Sequence, residues 1–149
     1  MLCCTITLFL NNIFIFRNEI IDFKHHKVVR LLILADILAN HSTAALKFTD
    51  KETAKEILQS SVADESINHV VLFDDKCQSF VEYIKSANNN IPLATASICS
   101  GERHSYYSDD FLYISVPVML TKEKIGTLYI RSGLNDLSTM LNRQLETFS

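Results

Sequence analysis

Arginine, histidine and tyrosine concentrate in one short stretch, Glu102-Arg103-His104-Ser105-Tyr106-Tyr107. Hydrogen-bond donors beside aromatic faces are the make-up of a loop that binds small molecules on a rigid sheet. Tyr83 and Tyr113 fall in nearby segments of strand character, and with Arg103, Tyr106 and Tyr107 they form the candidate ligand-binding set. Tyr129 lies on a further strand. Within the set Arg103 is the group to meet an anion, because a guanidinium presents a planar fork of donors. The plainer alternative, half-buried strand tyrosines beside a solvated loop, stays open.

Other reactive side chains point to less. The five histidines include the adjacent pair His25-His26, which on a helix would point about 100° apart, and none has a second histidine four residues on. No metal site is expected from them. Asp74-Asp75 and Asp109-Asp110 sit where the pattern breaks between strands, the usual place for carboxylates that form turns. The chain has only three glycines and lacks a G-x-S-x-G elbow, a glycine-rich phosphate loop and an H-E-x-x-H pair. An enzyme is therefore not expected, nor a cofactor. Cys3, Cys4, Cys77 and Cys99 match neither a dense disulfide framework nor paired C-x-x-C spacing, so they leave the redox compartment open.

The elements that would position these residues follow from periodicity. A chain of 149 residues has room for one ordinary core. Its net charge of -3, with the signs interspersed, disfavours a nucleic-acid partner. Residues 1–16, MLCCTITLFLNNIFIF, read as a partial transmembrane helix or membrane anchor, shorter than the roughly 20 apolar residues of a full span. A buried helix start and a signal peptide are the competing readings. Residues 17–149 are then a single domain. From Ile13 to Ala45 no Gly or Pro interrupts a helical stripe that includes Leu31, Leu34, Leu38 and His41. Such a helix, about 45 Å long, outruns a small domain, so this stripe is a candidate dimer interface, with packing on the domain's own sheet as the alternative.

A second helix is expected after Thr49 or Asp50, and Thr49 as N-cap would put Glu52 at the capping-box position. INHVVLF and QSFVEYIK read as a hairpin. Residues 86–109 read as a loop with one weak strand near Leu93–Ile98. FLYISVPVML and IGTLYIRS form another hairpin, and Leu134, Leu137, Leu141 and Leu145 line a closing helix. Successive hairpins require an antiparallel sheet. The expected fold is α+β: a PAS-like sensor domain with an antiparallel sheet, a long N-terminal helix, a short second helix and a C-terminal helix.

Three motifs carry a resemblance to a known family. In LADILANHSTAALKFTDKETAKEIL, the residues Asn40, Ser42, Ala44, Ala45, Leu46, Phe48 and Asp50 occupy an Asn-x-Ser/Thr-x-Ala-Ala-Leu run followed by Phe-x-Asp. VVLFDDKCQSFVEY resembles a strand-turn-strand, and VPVMLTKEKIGTLYIRSGLNDL supplies Pro117, Ile125, Gly126, Leu128, Tyr129 and Leu134. Together they resemble the eighth CHASE-type periplasmic sensor domain, over roughly residues 14–146. Cys77 and Lys122 stand where that family's two turns usually have glycine, which predicts looser or costlier turns if those positions are left-handed.

The resemblance implies a bacterial inner-membrane protein whose sensor domain faces the periplasm, dimeric through its N-terminal helices. It further implies a second span and a cytoplasmic diguanylate cyclase or histidine kinase. Both lie outside this sequence, which would then be a fragment or truncated product. A ligand, if present, would be a small molecule or a periplasmic protein. The basic residues Arg17, Lys24, Lys27 and Arg30 follow the apolar segment and by themselves would hold the domain in the cytoplasm; the resemblance implies the opposite. In an oxidising compartment Cys77 and Cys99 could pair, although two separate thiols is the simpler reading. A free-standing secreted or anchored small-molecule-binding or adaptor protein is the competing functional class.

Overall fold

The computed structural model describes the chain apart from residues 86–97, 109 and 134–149, and gives only the backbone for residues 18–24 and 62. Two compact units make up the chain, Met1–Leu31 and Leu32–Ser149. Helix α1, Leu2–Lys47, runs through both. It is longer at each end than the periodicity predicts, because nothing in it breaks a helix.

In the first unit the large apolar side chains Leu2, Ile6, Leu8, Phe9, Leu10, Ile13, Phe14, Ile15 and Phe16 are exposed. Three polar side chains of its first turns bond back to the backbone. Thr5 Oγ1 donates to the Leu2 carbonyl at 2.8 Å, Thr7 Oγ1 to Cys3 at 2.6 Å and Asn12 Nδ2 to Leu8 at 3.3 Å. A stretch such as Leu2–Phe16, which shows hydrocarbon outward and turns threonine hydroxyls back on its own backbone, suits a lipid environment.

In the second unit, residues 32–47 of α1 bury Ala35, Leu38, Ala39, Ser42 and Ala45. Mostly small residues at this spacing let a helix sit close to its support. The helix ends in paired backbone bonds, Asp50 N–H to Ala45 at 2.8 Å and Thr49 N–H to Leu46 at 3.3 Å, with Thr49 left-handed at φ 54°. This is a Schellman-type stop whose left-handed position usually falls to glycine. Helix α2, Lys51–Ser60, follows at once, and its N-cap is Asp50, whose carboxylate accepts from Thr53 N–H at 3.1 Å. The Thr49 capping box is thus replaced by an Asp50 cap, because Thr49 is spent ending α1. Replacing a β-branched residue in left-handed backbone by glycine removes a clash worth about 1 kcal/mol. Thr49→Gly is therefore expected to raise the denaturant midpoint, with an unchanged or lower midpoint counting against the strain.

A five-stranded antiparallel sheet follows: β1 Ile67–Asp74, β2 Ser79–Ile84, β3 His104–Ser108, β4 Phe111–Leu120 and β5 Glu123–Gly133, in spatial order β2-β1-β5-β4-β3. The two predicted hairpins are present as β1–β2 and β4–β5. The HSYYS segment, expected as loop, is the edge strand β3, fully exposed along its length and held by pairing to β4. The expected strand near Leu93 and the closing helix fall outside the described residues, except for Ile98, which is buried. On one face Val70, Leu72, Leu112, Ile114, Val116, Val118, Leu128 and Ile130 are buried. Helix α1 reaches this face at Gly126, beside Leu46, and its Thr43 Oγ1 lies 3.5 Å from the Met119 carbonyl.

The two turns that lack the family's glycine behave differently. Cys77 does adopt left-handed backbone, at φ 59°. The turn is nevertheless tightly knit: Cys77 N–H bonds the Asp74 carbonyl at 3.1 Å, and Asp74 Oδ1 accepts from Lys76 and Gln78 N–H at 2.9 Å each. In the β4–β5 turn the left-handed residue is Thr121, at φ 60°, so the glycine missing at 122 carries no such cost. Cys77 is bridged to Cys99, with Cα atoms 6.0 Å apart. The simpler reading of two separate thiols is overturned, because the fold brings the first turn onto the segment leading to β3.

Candidate functional site

Side chains of directly opposed residues in an antiparallel sheet share a face. The register opposes Tyr106 to Tyr113, Tyr113 to Arg131 and Arg131 to His69. Four strands thereby set one row, Tyr106–Tyr113–Arg131–His69, across the face turned away from the Leu128 core. The next rows hold Ser115, Tyr129 and Val71, then Pro117, Thr127 and Phe73.

This face has two ends. Near the disulfide it is apolar, with Val71, Phe73, Ile98 and Tyr129 packed together and Cys77, Cys99 and Tyr113 against them. Toward Phe111 it is aromatic and charged. Tyr106 and Tyr113 stack with centroids 4.8 Å apart and planes 8° from parallel. Phe111 stands edge-on to Tyr113 at 6.4 Å, and the Arg131 guanidinium lies 4.8 Å from the Phe111 ring centre. Arg131 is only 3% exposed and His69 2%. His69 Nε2 is 2.6 Å from Glu82 Oε1, and its ring meets Tyr129 edge-on at 5.8 Å. Burial holds the His69 pKa below that of a free imidazole, although the Glu82 contact works the other way. Burial likewise pushes the Tyr129 hydroxyl well above the ordinary tyrosine range, so it acts as a neutral hydrogen-bonding group.

Of the five candidate ligand residues, the structure brings Tyr106 and Tyr113 together here and places the other three elsewhere. Tyr83 opposes Val70 and Tyr107 opposes Leu112, so both belong to the opposite face. Arg103 donates to Asp36 of α1 at 2.7 Å, a largely exposed ion pair. Sequence reasoning missed His69, Glu82, Phe111 and Arg131. A signal was there: Thr127, Tyr129 and Arg131 form a polar, period-two line through an otherwise apolar strand. Among the described residues no three His, Cys, Asp or Glu side chains gather to hold a metal. A separate open hollow of about 340 Å³ near the turns is lined by Lys47, Lys124, Asp74, Asp75 and Glu123, whose opposed charges favour no particular ligand.

The profile of CHASE8, a periplasmic sensor domain, matches residues 23–131. The chain belongs to the CHASE8 family. As a CHASE8 domain it is an extracytoplasmic sensor domain, and its α+β architecture is PAS-like. Among curated proteins none matches the sequence. Among solved structures it is similar to the ligand-binding domain of the Pseudomonas fluorescens chemoreceptor CtaA in complex with L-valine, at 11% identity and a TM-score of 0.55. That likeness covers 79% of this chain and 58% of the chemoreceptor chain. The GAF domain of A. aeolicus nlh2 in an inactive state is also similar, at 14% identity and a TM-score of 0.47, over 75% of this chain and 87% of that one.

The CHASE8 signature residues serve the scaffold. Ser42 and Ala45 are buried in α1, with Ser42 Oγ donating to the Leu38 carbonyl at 2.7 Å, and Asp50 starts α2. Gly126 gives Leu46 room against the sheet. Pro117 and Tyr129 belong to the ligand-candidate face, whereas Asn40, Ala44 and Phe48 are exposed. Of the four residues of the candidate dimer stripe, Leu31 and Leu38 are buried within the single chain, Leu34 is half-buried and His41 is exposed. The exposed line on the helix is instead Ile33, Ile37, Ala44 and Phe48, adjoining His41.

Proposed function

We propose that this CHASE8 domain is the input module of a membrane-tethered signalling protein, and that it passes a periplasmic signal to a cytoplasmic diguanylate cyclase or histidine kinase without catalysing a reaction. The carrying observation is the family match over residues 23–131, which runs from the middle of α1 through α2 and the sheet into β5. A small molecule bound on the Tyr106–Tyr113–Arg131–His69 face is the input. The anchor is Leu2–Arg17. By length His25–Lys47 is the better span, with mean hydropathy 1.3. That stretch, however, carries Lys27, Arg30 and Asp36 and is about a third buried, whereas Leu2–Arg17 exposes hydrocarbon throughout.

A domain without catalysis acts on its output by shifting a rigid element between states. Two copies paired along Ile33, Ile37, Ala44 and Phe48 make α1 that element. Alkaline phosphatase fused after Ser149 is expected to be active in a bacterial host; an inactive phosphatase fusion beside an active cytoplasmic reporter would overturn the export reading. In detergent the chain is expected to be dimeric, and Ile33→Asp with Ile37→Asp to yield a monomer at the parental melting temperature, since both positions are already exposed. A parent monomeric at high concentration counts against the dimer.

A further inference from the structure

His69 lies on β1 between β2 and β5, with its ring closed off from water. Among the described residues the groups that face it are Glu82 from β2 and Arg131 and Tyr129 from β5. A carboxylate only accepts hydrogen bonds, so Glu82 Oε1 at 2.6 Å keeps a proton on Nε2. Nδ1 is then the bare acceptor of a neutral imidazole, and this buried atom has no hydrogen-bond partner. A proton added there makes a buried cation whose new N–H finds no acceptor, across the ladder from Arg131, which stays positive whatever it bonds. Glu82 attracts that cation. Burial outweighs the attraction and holds the ring neutral.

Glu82 stands between this ring and water, its side chain 44% exposed on the edge strand β2. That strand is lightly held: of its six residues only Val81 is buried. Helix α2 packs against β2, with Lys51 Nζ 5.6 Å from the centre of the Phe80 ring, and it begins at Asp50, where α1 has just ended. Opening β2 therefore loosens the support of the segment that directly follows α1.

We infer that the His69–Glu82 pair is an acid-operated catch: with one proton on the ring β2 is closed on β1, and uptake of a second proton at Nδ1 opens β2 together with α2. The proton is thus an input beyond the small molecule, and the inference rests on the sensor reading above. The opened chain takes up this proton near the ordinary histidine pKa of about 6.5, and the closed domain only at lower pH. The catch is fully closed above that range and weakens as the pH falls through it. It levels off once the closed domain is protonated as well.

The test is urea unfolding and amide hydrogen exchange on the full chain, Met1–Ser149, in detergent from about pH 8 to about pH 5, with His69→Gln beside the parent. Relative to His69→Gln, the folding constant of the parent is expected to fall by up to about tenfold per pH unit below about pH 6.5. Exchange, corrected for its intrinsic pH dependence, is expected to rise first in Ser79–Ile84 and Lys51–Ser60 while Phe111–Leu120 stays protected. Nitrogen-15 spectra of the His69 ring are expected to show the neutral form with its proton on Nε2 at about pH 7. Parallel pH profiles of the parent and His69→Gln overturn the inference. So does a ring that titrates at or above about 6.5, and so does acid exchange that rises evenly over the whole sheet. If His69→Gln does not fold, the ring titration and the exchange pattern of the parent decide alone. Those failures leave the sensor reading intact if the phosphatase and dimer results stand, whereas acid opening in a chain that is not exported would sink the sensor reading alone.

Discussion

Gly126→Ala is expected to lower the melting temperature of the domain on the order of 10 °C, the effect of about 2–3 kcal/mol of overpacking. A Cβ at this position would collide with the Phe73 carbonyl oxygen and stand 2.8 Å from Leu46 Cδ1. The two obstacles differ in kind. Leu46 is a side chain that can be trimmed, whereas the Phe73 oxygen belongs to β1, the neighbouring strand, and moves only with the sheet. Leu46→Ala in the Gly126→Ala background should therefore restore part of the loss and no more. Calorimetric melting of the parent, both single variants and the pair checks this. A Gly126→Ala protein that melts with the parent would mean that the helix and the sheet do not approach as closely as the structure has them.

Removing the Cys77–Cys99 bridge is expected to destabilise the domain by about 3 kcal/mol, the chain-entropy value for a loop of this size. The bridge closes a separation of 22 residues and secures the β1–β2 turn to the segment before β3. Cys77 is itself in left-handed backbone, so the replacement matters: with Cys99→Ser, Cys77→Gly should be more stable than Cys77→Ser by roughly 1 kcal/mol. Urea unfolding with and without reductant measures both effects. The parent should fall toward the Cys77→Ser, Cys99→Ser protein on reduction, and that protein should ignore reductant. A fully reduced parent with unchanged stability would show that the bridge constrains nothing. A persistent bridge also suits the oxidising compartment of an extracytoplasmic domain.

These expectations separate what could be read along the chain from what could not. Helix α1 was evident in a run without Gly or Pro, the two hairpins in their β-branched alternation, and the α+β plan in the order of those elements, because helix and strand periodicities are local. The edge strand β3 was not evident: HSYYS is exposed at all five positions, so it has no hydrophobic alternation to betray it and exists because β4 offers a ladder to pair with. The face occupied by each tyrosine was equally hidden. Tyr106 and Tyr107 are neighbours in sequence and opposites in space, and which of them joins Tyr113 depends on a register that a shift of one residue would reverse. Arg103 looked like an anion's partner by type alone, yet Asp36, 67 residues away in the chain, is what it meets. A related ambiguity attends the candidate dimer stripe: helical periodicity shows that Leu31 and Leu38 share a stripe with Leu34, but not whether that stripe is covered by the chain's own core or by a second copy. The pairing of Cys77 with Cys99 and of His69 with Arg131 belongs wholly to the tertiary structure, since contacts between distant segments are set by strand order and register. The sequence by itself determined the long helix, the two hairpins and the family; packing decided the edge strand and which side chains meet, because local periodicity carries no record of what lies on the other side of a contact.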